Sequence, residues 1–132
     1  MKITYAENSL VTAWELIEVF RSVGWNKNPE NILEAFKKSH FITAYEGDRL
    51  IGFARAISDG YYYTGIYDVV VRPEYQKKGI AKKMMEMLVT RYKDTYLFLS
   101  YTEGNRDFYA GCGFDDLPTA MWIEKGKLTD ND

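Results

Sequence analysis

The sequence predicts an α/β fold in which helices flank a mixed, mostly antiparallel sheet. Two apolar runs on either side of Glu46-Gly-Asp-Arg49 are typical of a β-hairpin. A later β-branched run stops at Pro73, and an amphipathic helix follows at about Gly79–Tyr92, which is typical of a parallel crossover. The expected element order over residues 1–132, taken as one domain, is β-α-α-β-β-β-α-β-α-β.

The N-terminal part is expected to contain one strand and two helices. A short strand covers Met1–Tyr5. Either Asn8 or Ser9 can cap the first helix, which runs to about Ser22, because both side chains accept hydrogen bonds from the free amides of a helix start. The second helix covers about Asn28–Lys38, with proline at the favoured first position.

The remaining elements are read from β-branched and aromatic runs between turn residues. The hairpin comprises His40–Tyr45 and Arg49–Ile57, and Ser58-Asp-Gly60 turns the chain into the next strand. The later segments are a strand at Tyr61–Val71, a strand at Thr95–Tyr101, a short helix at Gly104–Ala110 and a final strand region at Phe114–Glu124.

Composition limits the classes of function. A net charge of −2 over 132 residues argues against a general nucleic-acid binder. The one cysteine, Cys112, excludes an intrachain disulfide, and with His40 as the one histidine a His/Cys zinc site is not expected. Both residues are read as structural. The chain has no apolar signal region or membrane-length apolar run, so we expect a cytoplasmic protein without membrane contact.

The loop before the long helix carries the most chemical information, and it reads Gln76-Lys-Lys-Gly-Ile-Ala81. Small residues at Gly79 and Ala81 let a ligand approach the backbone closely. Free amides at a helix start, with the positive end of the helix dipole behind them, bind anions. Basic residues crowd the same place: Arg72, Lys77, Lys78, Lys82 and Lys83. The sequence therefore predicts a ligand that carries phosphate.

The loop lacks both the P-loop pattern and the three-glycine dinucleotide fingerprint. In its strand-loop-helix context it resembles the acyl-CoA signature of the GNAT superfamily of N-acetyltransferases, Gln/Arg-x-x-Gly-x-Gly/Ala. A second motif, Asn105-Arg-Asp-Phe-Tyr-Ala-Gly-Cys-Gly-Phe114, is similar to the family's Phe-Tyr-x-x-x-Gly-Phe, with Tyr109 at its tyrosine. Asn105 lies only four residues before Tyr109, closer than the family's asparagine usually does.

The resemblance implies the GNAT fold, in which two parallel strands, here Tyr61–Val71 and Thr95–Tyr101, splay apart to admit the pantetheine arm of acetyl-CoA. It implies that the pantetheine amides pair with the backbone of Val69, Val70 and Val71. The pyrophosphate would be held at the loop and helix start, by Gln76, Lys77, Lys78, Gly79, Ile80, Ala81 and Lys82, with Asn105 as a further CoA contact. The lysines either reach the 3′-phosphate or form a solvated helix face.

The implied reaction is direct transfer of an acetyl group from acetyl-CoA to a primary amine, without a metal. An amine with a pKa of about 10.4 is neutral in roughly one part per thousand at pH 7, equivalent to about 4 kcal/mol. Asp68 would accept the amine proton, directly or through water, or else cap a turn or bind the acceptor ammonium. Tyr109 would protonate the departing thiolate, or else pack with its hydroxyl on a backbone carbonyl. A backbone N–H of the bulged valine strand would hold the oxyanion.

No motif specifies the acceptor. An aromatic set attracts cations and favours an amine, although such tyrosines are also ordinary sheet surface; it comprises Trp14, Trp25, Tyr61, Tyr62, Tyr63 and Tyr67. A small amine, an aminoglycoside, an amino acid and a protein α-amine all remain open, as does a homodimer. Two alternatives to catalysis are an acyl-CoA-binding sensor or interaction module and an interaction domain that binds no CoA.

Overall fold

The structure is a computed structural model that describes residues 1–128, and its elements alternate between a central sheet and flanking helices. The strands are β1 (Ile3–Glu7), β2 (His40–Glu46), β3 (Arg49–Ser58), β4 (Tyr63–Val71) and β5 (Tyr96–Phe98). The helices are α1 (Ala13–Ser22), α2 (Pro29–Lys37), α3 (Ile80–Arg91) and α4 (Arg106–Gly111), and a short 3₁₀ helix covers Pro73–Tyr75. The predicted class, a mostly antiparallel sheet flanked by helices, is confirmed.

The sheet has the strand order β1-β2-β3-β4-β5, antiparallel throughout except for the parallel pair β4 and β5. The parallel pair is short, because the register runs only from Tyr63 opposite Tyr96 to Gly65 opposite Phe98. From Ile66 to Val71, β4 extends beyond this pairing. Apart from the Val71 carbonyl, which accepts a hydrogen bond from the Gln76 side chain, the backbone groups on that edge of β4 have no strand partner among residues 1–128 and are open to a ligand.

Helices α1 and α2 cover one face of the sheet. Thr12 caps α1 through a capping box with Glu15, and the Asn28 side chain accepts a hydrogen bond from the Asn31 amide at the start of α2. Their buried side chains form a core, called here the α1/α2 core. The helices contribute Leu16, Ile17, Val19, Phe20, Ile32 and Phe36, and the sheet contributes Phe41, Leu50, Phe53 and Val70.

Helix α3 covers the opposite face and builds a second core, called here the α3 core. Ile80, Met84, Met85 and Leu88 are its buried helical residues, and they pack on Ile42, Ala44, Ile51, Ala54, Ala56, Ile66 and Val71. The α4 residues Phe108 and Tyr109 pack at the margin of this core. The second predicted motif is thereby attached to the helix that begins at the first motif.

A β-bulge interrupts β4 at Asp68 and Val69. On β3 the step from Phe53 to Arg55 covers two residues, whereas the facing step on β4, from Val70 back to Tyr67, covers three. Side chains alternate between faces in a regular strand, yet Ile66 and Val69, three positions apart, both pack against the α3 core. The extra residue has thus exchanged the faces of all β4 residues that follow it.

Several sequence-based boundaries are wrong, and among them the strand predicted at Thr95–Tyr101 covers only Tyr96–Phe98. The final strand at Phe114–Glu124 does not form, because Pro118 lacks an amide donor. The ion pair between Asp116 and Arg106 (2.8 Å) also draws the segment toward α4. Asn8 and Ser9 do not cap α1; the Asn8 side chain accepts a hydrogen bond from the Phe41 amide, and the Ser9 hydroxyl bonds Thr43 and Tyr45.

Strand β4 begins at Tyr63 rather than Tyr61 because Asp59 holds the preceding residues in a turn. Its carboxylate accepts hydrogen bonds from the amides of Tyr61, Tyr62 and Tyr63. The Tyr61 and Tyr62 amides are therefore engaged by a side chain rather than by the β3 ladder.

Candidate active site

The bulge on β4 turns Asp68 toward β3. Asp68 has a left-handed backbone with φ of 52°, a conformation that aspartate adopts more readily than most residues. Its carboxylate accepts a hydrogen bond from Nε of Arg55 at 2.7 Å, and both side chains are largely buried. Arg55 also donates to the Ser39 hydroxyl, and its guanidinium lies 5.5 Å from the Tyr67 ring centroid. The bulge is therefore fixed by a charged pair between neighbouring strands.

This pair bears on both roles considered for Asp68. The carboxylate neither caps a turn nor stands free; it neutralises a largely buried guanidinium. Taking up an amine proton would remove its charge and leave Arg55 without its counter-ion, which is unfavourable at a buried position. A water molecule that passes the proton onward is compatible with the pair, whereas a stable protonated Asp68 opposes it.

The loop between β4 and α3 is built from a 3₁₀ turn and two left-handed residues. The Gln76 side-chain amide donates to the Val71 carbonyl at 2.9 Å, which fixes the loop to the end of β4. Lys77 has φ of 62° and Gly79 has φ of 82°, so the chain reverses sharply before α3 begins. Gln76 was predicted from sequence to contact the ligand, and in the structure its side chain shapes the loop.

The start of α3 is open. Gly79 is the N-cap residue, no side chain caps the helix, and an added Cβ at Gly79 would meet no atom within 4 Å. The amides of Ile80, Ala81 and Lys82 belong to the first turn, where an α-helix leaves its N–H groups without internal partners. Space, free donors and the helix dipole therefore coincide at this point, which fits a phosphate group.

The basic cluster is smaller than the sequence indicated. Lys77, Lys78 and Lys82 lie on the loop and the first turn of α3. Arg72 instead donates from Nε to the Leu50 carbonyl at 2.8 Å and pairs with Glu18 of α1 at 3.5 Å. Lys83 lines a surface groove together with carboxylates of β1 and α3. Three lysines consequently remain for an anionic ligand.

The second motif places Tyr109 on α4 beside the α3 core, half-buried. Burial raises the pKa of Tyr109, and the neighbouring Cys112 adds to the effect. Within residues 1–128 its hydroxyl makes no hydrogen bond, so the backbone-carbonyl contact considered above does not form. Burial also raises the pKa of the Cys112 thiol; the nearby charge of Lys82 lowers this pKa, and that of Glu86 raises it. The two motifs therefore lie close together.

Asn105 is at the N-terminal boundary of α4 but is not its side-chain cap. The Asn105 side-chain amide donates to the Thr102 hydroxyl at 2.8 Å, and the residue is exposed. The structure thus assigns it a turn-forming contact. Its predicted role in CoA binding stays a prediction.

A shallow aromatic cavity of about 250 Å³, open to solvent and lined mostly by exposed side chains, lies at the surface beside the N-terminal half of β4. Tyr63, Tyr67 and Phe98 line it together with Asp59 and Gly65. The other members of the aromatic set lie elsewhere: Trp14 is on α1, Trp25 stacks on Phe20, and Tyr61 and Tyr62 project from the turn before β4. The aromatic set predicted from sequence therefore included two cavity residues, Tyr63 and Tyr67, but not Phe98.

Arg55 and Asp59 were missed by sequence reasoning. Arg55 lies in a mostly buried strand with no motif around it, so its partner across the bulge carried no sequence signal. Asp59 did carry a sequence signal, but its Asp-Gly pair was interpreted only as a turn.

Two further features concern metals and membranes. In residues 1–128, no three side chains of His, Cys, Asp or Glu gather as they would around a metal ion. None of the helices described is both long and apolar enough to cross a bilayer.

A parallel strand pair that parts beside an uncapped helix, with a half-buried tyrosine close by, defines the class of protein as an acyltransferase. Comparison with known proteins agrees. The model of the Acetyltransferase (GNAT) family matches residues 10–114. The chain belongs to the GNAT family of acetyltransferases, which act on small-molecule or peptide amine acceptors.

Individual relatives are similar over nearly the whole chain. An uncharacterized N-acetyltransferase, ycf52, of Gracilaria tenuistipitata var. liui is 34% identical over 123 residues, covering 86% of this chain and 68% of the relative. The ycf52 protein of Porphyra purpurea is 34% identical, covering 92% and 75%. A GNAT family acetyltransferase from Streptococcus pneumoniae TIGR4 superimposes with a TM-score of 0.81 at 27% identity, covering 94% of this chain and 99% of that one.

Proposed function

We propose that this protein transfers an acetyl group from acetyl-CoA to a primary amine by direct attack of the amine on the thioester. The observation that carries the proposal is the continuous path from the open edge of β4 to the uncapped start of α3. That path offers a strand edge followed by free amides, which match an amide-containing arm that ends in phosphates.

The donor would be held mainly by backbone groups. The edge of β4 at Val69, Val70 and Val71 would pair with the pantetheine amides, while the valine side chains stay in the two cores. The amides of Ile80, Ala81 and Lys82 would bind the pyrophosphate, with Gly79 leaving space for it. Lys77, Lys78 and Lys82 would supply positive charge for the remaining phosphate.

The chemistry requires one proton to leave and one to arrive. The amine loses a proton as the new C–N bond forms, and the sulfur gains one as the C–S bond breaks. Tyr109 would donate to the sulfur, since a tyrosine hydroxyl is protonated at neutral pH and this one bonds no other group in residues 1–128. Burial raises the pKa of Tyr109, so the hydroxyl is a weaker acid than an exposed tyrosine. Asp68 would act through water, because its pairing with Arg55 opposes direct proton uptake.

A second candidate function is favoured by that same pairing. If Asp68 serves only to fix the bulge, the protein could bind acyl-CoA as a sensor without turnover. The available hydroxyl of Tyr109 argues for catalysis instead.

An amine panel distinguishes the two functions. The protein is incubated with acetyl-CoA and each amine, and free thiol is followed with a chromogenic disulfide. Catalysis predicts amine-dependent thiol release that disappears when the amine is omitted. Tight CoA binding by calorimetry, with no thiol released by small amines, amino acids, aminoglycosides or peptides, would establish the sensor instead. A Gly79→Glu protein, which should bind the donor far more weakly, serves as the control.

A further inference from the structure

The cavity beside β4 has a fixed negative charge at its rim. Asp59 Oδ1 accepts hydrogen bonds from the amides of Tyr61, Tyr62 and Tyr63 at 2.8, 2.7 and 3.2 Å. These three donors lower the pKa of the Asp59 carboxyl and hold it ionised. Within the described chain, Oδ2 makes no hydrogen bond. One carboxylate oxygen builds the turn, and the other is available to a ligand.

Gly65 shapes the aromatic wall of the cavity. A Cβ at this position would lie 2.7 Å from the Tyr67 ring, closer than real contacts allow, so the ring rests directly on the glycine backbone. The guanidinium of Arg55 lies 5.5 Å from the same ring. On the other side, Tyr63 stacks on Tyr96 with 5.8 Å between ring centroids. The Tyr67 ring is therefore held in place before any ligand arrives.

The charged end of the cavity is separated from the bulge by a definable length. The wall begins at Tyr67, directly before Asp68, whereas Asp59 lies beside Tyr63, five residues before Asp68 along β4. At about 3.3 Å per residue, the distance from the bulge to the Gly65–Tyr63 part of the cavity is roughly 10–16 Å. A saturated chain of about nine to fifteen bonds covers this span, since an extended backbone advances about 3.3–3.6 Å for every three bonds.

We propose that the cavity binds a second ammonium group of the acceptor, which is accordingly a long aliphatic diamine or polyamine rather than a monoamine. Asp59 supplies the opposite charge, and Tyr63, Tyr67 and Phe98 supply aromatic surface for the ammonium group and the alkyl chain beside it. The volume of about 250 Å³ suits an alkylammonium end and is small for a nucleotide or a trisaccharide. This inference rests on the proposed acetyl transfer and adds the acceptor class.

The test compares α,ω-diamines of four to twelve carbons with monoamines of equal length, at saturating acetyl-CoA. We expect kcat/KM to favour the diamine over its matched monoamine, with the advantage appearing only in the longer chains. Asp59→Asn keeps an oxygen for the three amides but removes the charge. It should reduce kcat/KM about two- to fivefold for long diamines and leave monoamines nearly unchanged, the range expected for an exposed charge pair. Asp48→Asn, in the β2–β3 turn, is the matched control.

A second variant tests the aromatic wall. Gly65→Ala should displace the Tyr67 ring and diminish the diamine advantage, while CoA affinity by calorimetry stays unchanged. Equal use of diamines and monoamines, or a diamine advantage that Asp59→Asn leaves intact, overturns the inference while acetyl transfer stands. Better use of lysine within a peptide than of any diamine also overturns it. If no amine releases thiol although CoA binds, the proposed function itself has failed.

Discussion

The open start of α3 makes Gly79→Glu an informative substitution. Gly79 has φ of 82° and no atom within 4 Å of the position of a Cβ, so the new side chain meets strain but no clash. A left-handed non-glycine residue costs about 1–2 kcal/mol. A carboxylate at a helix N-terminus returns about 0.3–1 kcal/mol. The net loss of folding stability should therefore lie at about 0–1.7 kcal/mol.

The effect on CoA binding should be larger. A carboxylate about 5 Å from one phosphate charge costs about 3 kcal/mol at an effective dielectric of roughly 20, which corresponds to more than a hundredfold in affinity. Calorimetry with CoA measures this loss, and urea unfolding measures the stability. The variant should thus stay folded and bind CoA at least a hundredfold more weakly.

Gly24→Glu is the matched control. Gly24 follows the C-terminal end of α1, has φ of 85° and also has open space around a Cβ. There the same strain adds to an unfavourable charge at a helix C-terminus, so the stability loss should reach about 1.3–3 kcal/mol. The two variants should therefore rank in opposite orders for stability and for CoA affinity. A folded Gly79→Glu protein that binds CoA as tightly as the parent refutes the anion site.

Three further substitutions or measurements address the remaining groups. Tyr109→Phe should lower kcat about a hundredfold or more with little change in KM for acetyl-CoA. The substitution should leave the unfolding free energy nearly constant, since the Tyr109 hydroxyl makes no hydrogen bond within residues 1–128. If kcat stays near the parental value while chemistry is rate-limiting, Tyr109 is a packing residue. Asp68→Asn should destabilise the fold by about 1.5–3 kcal/mol through loss of a charged hydrogen bond to Arg55, and unchanged urea midpoints would contradict this. Burial raises the pKa of Cys112, which reduces its thiolate fraction at pH 8. Iodoacetamide should therefore react more slowly with Cys112 than with glutathione, and the rate for Cys112 should still be rising above pH 9. Equal rates for the two thiols at pH 8 would count against the shift.

Sequence patterns were sufficient for the elements whose residues carry strong local signals. Asn28-Pro29 starts α2, and the Glu46–Arg49 turn joins β2 to β3, because capping and turn chemistry are encoded in neighbouring residues. The first turn of α3 followed its loop motif for the same reason. Thr12 was missed as the cap of α1 because Asn8 and Ser9 are equally good caps on local grounds, and contacts with β2 decide their use.

The candidate site was accessible from sequence only in part. Both motifs could be placed, since each lies within one strand-helix or helix-loop unit. The pairing of Arg55 with Asp68 joins residues 13 positions apart, and it depends on a bulge that shifts register by one. The side chain of Arg72 was assigned to the loop because of its position, whereas Glu18 on a distant helix captures it. Long-range pairing of this kind leaves no periodic trace in the chain.

The bulge in β4 also limits how the chain can change in length. Val70 lies in the α1/α2 core and Val71 in the α3 core, so both faces hold the strand in place after the extra residue. Deleting one residue from 67–69 would leave a regular ladder in which Val70 still faces Phe53 and Val71 still faces Gly52. The two cores would be kept, but the bulge that brings Asp68 to Arg55 would be lost. The tip of the β2–β3 hairpin carries no such restraint, because Gly47 and Asp48 are exposed. Natural insertions and deletions among relatives should therefore collect at that tip and avoid residues 67–69, and loop grafting for engineering should follow the same division.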